Sequence, residues 1–246
     1  MYNIYFPPCG FGFWYELGIL NSNKYDNYNL YGSSAGSLIC LLSLLDKEER
    51  NIYNILDDCI DIKNIIDSKS SYAKLNLYNY SSLLCEKIIK KLEKKELKKI
   101  NEKLDKIYIE VTEVKLLYNI IPYIKSEYVK PKNLLELKNL ILGSCYVPIL
   151  SFYKNIFYYK FNNKYYIDGY IGSYIKKKDD IIKINCSKYF SLIPCNKKRA
   201  IELYNYGLYN KIEINNNNNN IVFKILIIFI FFIFILLLLK YFIIHI

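Results

Sequence analysis

The stretch Asn27-Tyr-Asn-Leu-Tyr-Gly32-Ser33-Ser34-Ala35-Gly36-Ser37-Leu-Ile-Cys-Leu-Leu42 decides the reading of this chain. Apolar and aromatic residues at Tyr28 to Tyr31 read as a short strand. A strongly apolar helical run follows from Ser37 to Leu45. Between them lies Gly32-Ser33-Ser34-Ala35-Gly36, a G-x-S-x-G match. Strand, tight turn and helix are the layout in which such a serine becomes an exposed nucleophile. The two glycines, Gly32 and Gly36, permit the turn, and Ser34 then stands at a helix N-terminus, where backbone N–H groups favour a developing oxyanion. Taken alone, the same residues also read as a serine-rich loop capping a helix.

A nucleophilic serine needs a base. The only histidine is the penultimate residue, His245, so no Ser-His-Asp triad can be assembled upstream of it. A carboxylate can act directly when it is buried and within hydrogen-bond reach. Asp168 is the best candidate: it ends the apolar run Tyr165-Tyr-Ile167 and precedes Gly169. Asp46, Asp57, Asp58, Asp61, Asp179 and Asp180 lie instead in polar, clustered surroundings. An ordinary Asp-Gly hairpin turn is the competing reading of Asp168.

Outward from these two positions, strand-like and helical segments alternate. Tyr2 to Phe6, Ile107 to Val111 and Tyr165 to Ile167 read as strands. Tyr15 to Asn21, Asp46 to Ile66, Ser81 to Leu104 and Asn133 to Leu142 read as helices. The alternation predicts an α/β fold with a central sheet covered by helices.

The composition is rich in Asn, Ile, Lys and Tyr, as an AT-rich coding sequence would produce. Formal net charge is +11, with Arg50 and Arg199 the only arginines. Nucleic-acid binding is not expected, because no nucleic-acid motif accompanies the charge. A basic face suits an anionic membrane surface, where each nearby Lys adds about 1 kcal/mol. The seven cysteines are odd in number and form no C-x-x-C pair, which suggests neither a disulfide framework nor a zinc site. No signal peptide is expected at the N-terminus.

The sharpest compositional break is the run Asn215 to Asn220. After it, every residue from Ile225 to Leu239 is apolar, bracketed by Lys224 and Lys240. Residues 221–241 reach the roughly 20 needed to span a bilayer, and the two lysines can snorkel to its interfaces. The expected organisation is a domain over 1–213, a linker over 214–220 and a single transmembrane tail over 221–241. The large domain is expected to face the cytosol.

Together these pieces resemble the patatin-like phospholipase family, including its animal triglyceride-lipase branch. Ser34 falls in the G-x-S-x-G motif and Asp168 in a D-G motif, in the family's order. Cys9-Gly10-Phe11-Gly12-Phe13 resembles the loop after the first strand. Tyr108-Ile-Glu-Val-Thr-Glu113, Leu142-Gly-Ser-Cys-Tyr-Val-Pro-Ile149 and Ile201 to Asn210 resemble later segments, so the likeness spans about residues 2 to 210. The resemblance implies a three-layer sandwich with a mainly parallel central sheet. It implies a Ser34–Asp168 dyad, oxyanion donors near Gly10, Phe11 and Ala35, a fatty-acyl ester of a lipid as substrate, and no cofactor or metal. Pro8, Tyr170, Tyr174 and Lys176 depart from the family's pattern. They keep open a catalytically silent, membrane-tethered scaffold or lipid-binding protein.

Overall fold

A computed structural model describes residues 2–22, 28–68, 76–117, 121–148, 150–151, 158–169, 171, 181–191 and 194–209. Seven strands form one sheet: β1 (Tyr2–Phe6), β2 (Tyr28–Ser33), β3 (Ile107–Leu117), β4 (Ile121–Val129), β5 (Tyr159–Phe161), β6 (Lys164–Ile167) and β7 (Ile181–Lys183). The central strands β3, β2, β1 and β7 run parallel, and β4, β6 and β5 add antiparallel pairings beyond β3. The helices are α1 (Phe13–Asn21), α2 (Ala35–Leu42), α3 (Ile52–Asp67), α4 (Leu77–Leu92), α5 (Leu97–Leu104), α6 (Leu134–Ser144) and α7 (Lys197–Tyr209). The α/β class with parallel strands at its centre is therefore present.

The sequence dictates most of these elements through burial. Helix α2 is buried along its whole length, so its apolar residues need no polar face. Helix α3 starts later than the apolar spacing alone suggests. Asn51 caps it, its side chain accepting from the N–H groups of Tyr53 and Asn54. The expected single helix over Ser81 to Leu104 is two helices. Ile88 and Leu92 continue the buried stripe begun at Leu84. In an unbroken helix, Ile100 and Leu104 would point well round from that stripe, yet both are buried. The break after Leu92 resets the phase.

Helices α1 and α7 pack at very close range. A Cβ on Gly18 would lie 2.1 Å from the Tyr204 carbonyl oxygen, and one on Gly207 would lie 2.0 Å from that of Tyr15. Only glycine allows the two backbones to meet there. The polar linker and the apolar tail lie outside the described residues, as do Tyr170, Tyr174 and Lys176. Among the described residues, no helix is long and apolar enough to cross a membrane.

Candidate active site

Strand β3 explains how two distant motifs meet. Its residue Glu110 pairs with Tyr128 of β4 on one edge and with Ser33 of β2 on the other. Its residue Thr112 pairs with Ser126 of β4 and with Ile167 of β6. Strands β2 and β6 therefore share one edge of β3 and run toward each other, end to end. Their last residues, Ser33 and Ile167, sit two positions apart along β3, a rise of about 7 Å. Ser34 and Asp168 are the next residues after each strand, and both line one cavity.

Ser34 has φ 49° and ψ −122°. The left-handed side of the map is unfavourable for a residue with a Cβ, costing about 1–3 kcal/mol, and such strain persists only where surrounding structure imposes it. Several contacts impose it here. The Ser34 N–H donates to Ser144 Oγ at 2.9 Å, and Ser144 Oγ donates onward to the Glu110 carbonyl at 2.6 Å. The Ser34 carbonyl accepts from Ser37 Oγ at 2.5 Å and from the Cys145 thiol at 3.1 Å. No side-chain hydrogen bond caps α2, so the Ser34 hydroxyl is not spent on its own helix. Ser144 and Cys145 thus hold the elbow in place, and the sequence reading assigned neither of them that task. The motif glycines give room for it: a Cβ on Gly32 would lie 2.5 Å from the Gly36 carbonyl oxygen, and one on Gly36 would lie 2.0 Å from that of Phe6.

Asp168 is buried. Its N–H donates to the Tyr146 carbonyl at 2.8 Å, and its own carbonyl accepts from Ile171 N–H at 3.1 Å. These bonds hold the backbone of a turn, so Asp168-Gly169 is not a hairpin tip. Gly169 is packed against the elbow. A Cβ there would lie 2.3 Å from the Glu110 carbonyl oxygen and 2.8 Å from both Ser144 Oγ and Ser33 Oγ. Thr112 Oγ1 donates to the Gly169 carbonyl at 3.1 Å, pinning the turn from the β3 side.

The loop between β1 and α1 forms the third wall. Gly10 takes the left-handed conformation, φ 55°, and lines the cavity with Phe11 and Ala35. The expected donor Phe11 is corrected here: its N–H donates to the Ser191 carbonyl at 2.7 Å and is unavailable to a substrate. Pro8 has no N–H to offer. Among the described residues, the N–H groups of Gly10 and Ala35 meet no backbone acceptor, which leaves these two for an oxyanion.

The cavity holds about 220 Å³. Its walls are mainly apolar, with Trp14, Leu38, Leu56, Leu84 and Val147 among them. Below Ser33, on the sheet, lies a polar cluster. Glu110 accepts from Tyr5 Oη at 2.6 Å and from Ser126 Oγ at 3.0 Å. Burial raises the Glu110 carboxyl above its usual range, against the lowering effect of these hydrogen bonds and of the Lys183 ammonium. Burial also pushes the Cys145 thiol well up, so it stays a neutral donor to Ser34. No protein-family model matches the chain, and no curated protein or solved structure matches it.

Proposed function

We propose that this chain is a lipid acyl hydrolase of the patatin-like kind, cleaving fatty-acyl esters with a Ser34–Asp168 dyad. One observation carries the reading: a strained serine, φ 49° and ψ −122°, stands at a strand-to-helix turn and shares an apolar cavity with a buried aspartate. Strain of this kind at a pocket points to function rather than to packing.

In the proposed reaction Ser34 Oγ attacks the ester carbonyl carbon while the Asp168 carboxylate takes the hydroxyl proton. The N–H groups of Gly10 and Ala35 stabilise the tetrahedral oxyanion. Collapse breaks the bond to the alcohol, which leaves with the proton held by Asp168. Water then attacks the acyl-serine, Asp168 takes a proton from it, and the fatty acid departs as Ser34 regains its own. The acyl chain lies against the apolar walls around Leu38, Leu56 and Leu84.

The reading extends to a three-layer sandwich and to an apolar segment over 221–241 that anchors the chain in a membrane, with the catalytic domain on the cytosolic side. Anchoring would hold the enzyme at an insoluble substrate and raise its effective concentration there. Labelling of the full chain in detergent with a fluorophosphonate ester, followed by a lipid-ester panel, tests the core of the proposal. Wild type should label and hydrolyse, Ser34→Ala should do neither, and Asp168→Asn should lose hydrolysis. A folded wild type that does not label would favour the silent lipid-binding scaffold, which the committed Phe11 N–H and Pro8 would then explain.

A further inference from the structure

Beneath the loop that carries Gly10, three side chains converge that the proposed reaction does not use. Cys9 precedes that glycine, Glu16 lies in the first turn of α1, and Cys186 follows β7. Their ligating atoms all lie within 4.8 Å of one another. Cys9 and Glu16 are 0% exposed and Cys186 is 3% exposed. Neither oxygen of the Glu16 carboxyl has a partner in good hydrogen-bonding geometry among the described residues, although the Cys186 thiol beside it interacts with the carboxyl.

A fully buried carboxyl with no partner is costly, and native proteins rarely tolerate one without a compensating group. The neighbouring thiols satisfy little of that need. Cys9 Sγ is directed to the Cys186 carbonyl at 3.6 Å, and Cys186 Sγ to the Pro8 carbonyl at 3.7 Å.

The geometry points to a structural zinc site formed by Cys9 Sγ, Cys186 Sγ and a Glu16 carboxylate oxygen. Two sulfurs and one oxygen are a donor set zinc accepts, with bonds of about 2.0–2.3 Å that place tetrahedral ligands about 3.3–3.8 Å apart. The ligating atoms, within 4.8 Å of one another, would have to draw together to that range on binding. Cys195, whose thiol meets the Phe11 carbonyl at 3.4 Å, lies outside this group of three, so the fourth position would fall to another ligand such as water. Zinc would take the two sulfurs as thiolates and give the buried carboxylate its missing partner.

The site would fasten three separate segments. The β1–α1 loop already joins the chain after β7 through Phe11 N–H to the Ser191 carbonyl, and Ser191 N–H to the Cys9 carbonyl at 3.3 Å. A zinc ion would fix the same junction from the core side and keep the Gly10 N–H on the cavity wall. The role is structural, so it stands whether or not the chain hydrolyses esters.

The test is metal content of the full chain, purified in detergent without chelator. One zinc per chain is expected, lost in Cys9→Ser and Cys186→Ser, weakened in Glu16→Gln and kept in Cys59→Ser. A second measurement needs no variant: the melting temperature of the wild type should fall with a strong chelator and recover when zinc is added back. Absence of zinc, zinc retained by both serine variants, a melting temperature unchanged by the chelator, or recovery of a Cys9–Cys186 disulfide would each overturn the assignment.

Discussion

Replacing Ser34 by glycine should make the protein more stable than replacing it by alanine. Alanine keeps a Cβ and so keeps the strain of φ 49° and ψ −122°. Glycine removes the strain, worth about 1–3 kcal/mol. Against that stands the extra freedom glycine gives the unfolded chain, about 0.4–1 kcal/mol. Capping does not confuse the comparison, because the Ser34 side chain makes no cap hydrogen bond. The net advantage of Ser34→Gly over Ser34→Ala is about 1 kcal/mol, or roughly 2–4 °C in Tm for a domain of this size. Thermal unfolding of both full-length variants in the same detergent, followed by intrinsic fluorescence, measures it. Neither variant should hydrolyse esters. Equal melting temperatures, or a higher one for Ser34→Ala, would show that the elbow stores no strain and would remove the main support for Ser34 as nucleophile.

Gly169→Ala would press a methyl group 2.3 Å from the Glu110 carbonyl oxygen, forcing the turn back by about 1 Å to reach ordinary contact. A shift of that size costs about 100-fold in turnover and overpacking costs about 1–3 kcal/mol; unchanged kinetics would refute the packing of Asp168 against the elbow. Leu84→Trp should fill part of the cavity, lowering kcat/KM about tenfold for every two acyl methylenes displaced, with short-chain esters unaffected. Equal losses for short and long esters would place the acyl chain elsewhere. The raised carboxyl of Glu110, among Tyr5, Tyr128, Ser126 and Lys183, has a pH consequence. Its folded form holds the proton to higher pH than the unfolded value of about 4.3. Its contribution to stability is therefore full below that value and is lost as pH rises through the folded pKa. Unfolding by urea at a series of pH values should show wild type losing ground to Glu110→Gln as pH rises; the opposite trend would refute the burial cost.

The candidate site residues were legible because they break the compositional background. Gly32, Ser34, Gly36, Asp168 and Gly169 stand out in a chain crowded with Tyr, Ile, Lys and Asn. Their pairing was expected only through the family resemblance: it depends on β2 and β6 sharing one edge of β3, and no local pattern encodes which strand adds where. The short strands β5 and β7 were hidden by the same Tyr, Ile and Lys background that blurs alternation. The loss of Phe11 as a donor was invisible for a related reason: its partner, the Ser191 carbonyl, lies 180 positions downstream. The convergence of Cys9, Glu16 and Cys186 has the same long-range origin, and sequence spacing argued against any metal there.

The close seat of α7 on α1, glycine against backbone at Gly18 and Gly207, also sets an order of events during synthesis. Strand β1 and helix α1 emerge first, yet their partners β7 and α7 are among the last of the described elements to be made. At about 5–20 residues per second, the interval between Gly18 and Gly207 is roughly 10–40 s. Throughout it, one side of β1 lacks its neighbour and the loop bearing Gly10 lacks the Ser191 carbonyl that holds it. A growing chain therefore carries Ser34 long before, and Asp168 only shortly before, it carries a finished pocket.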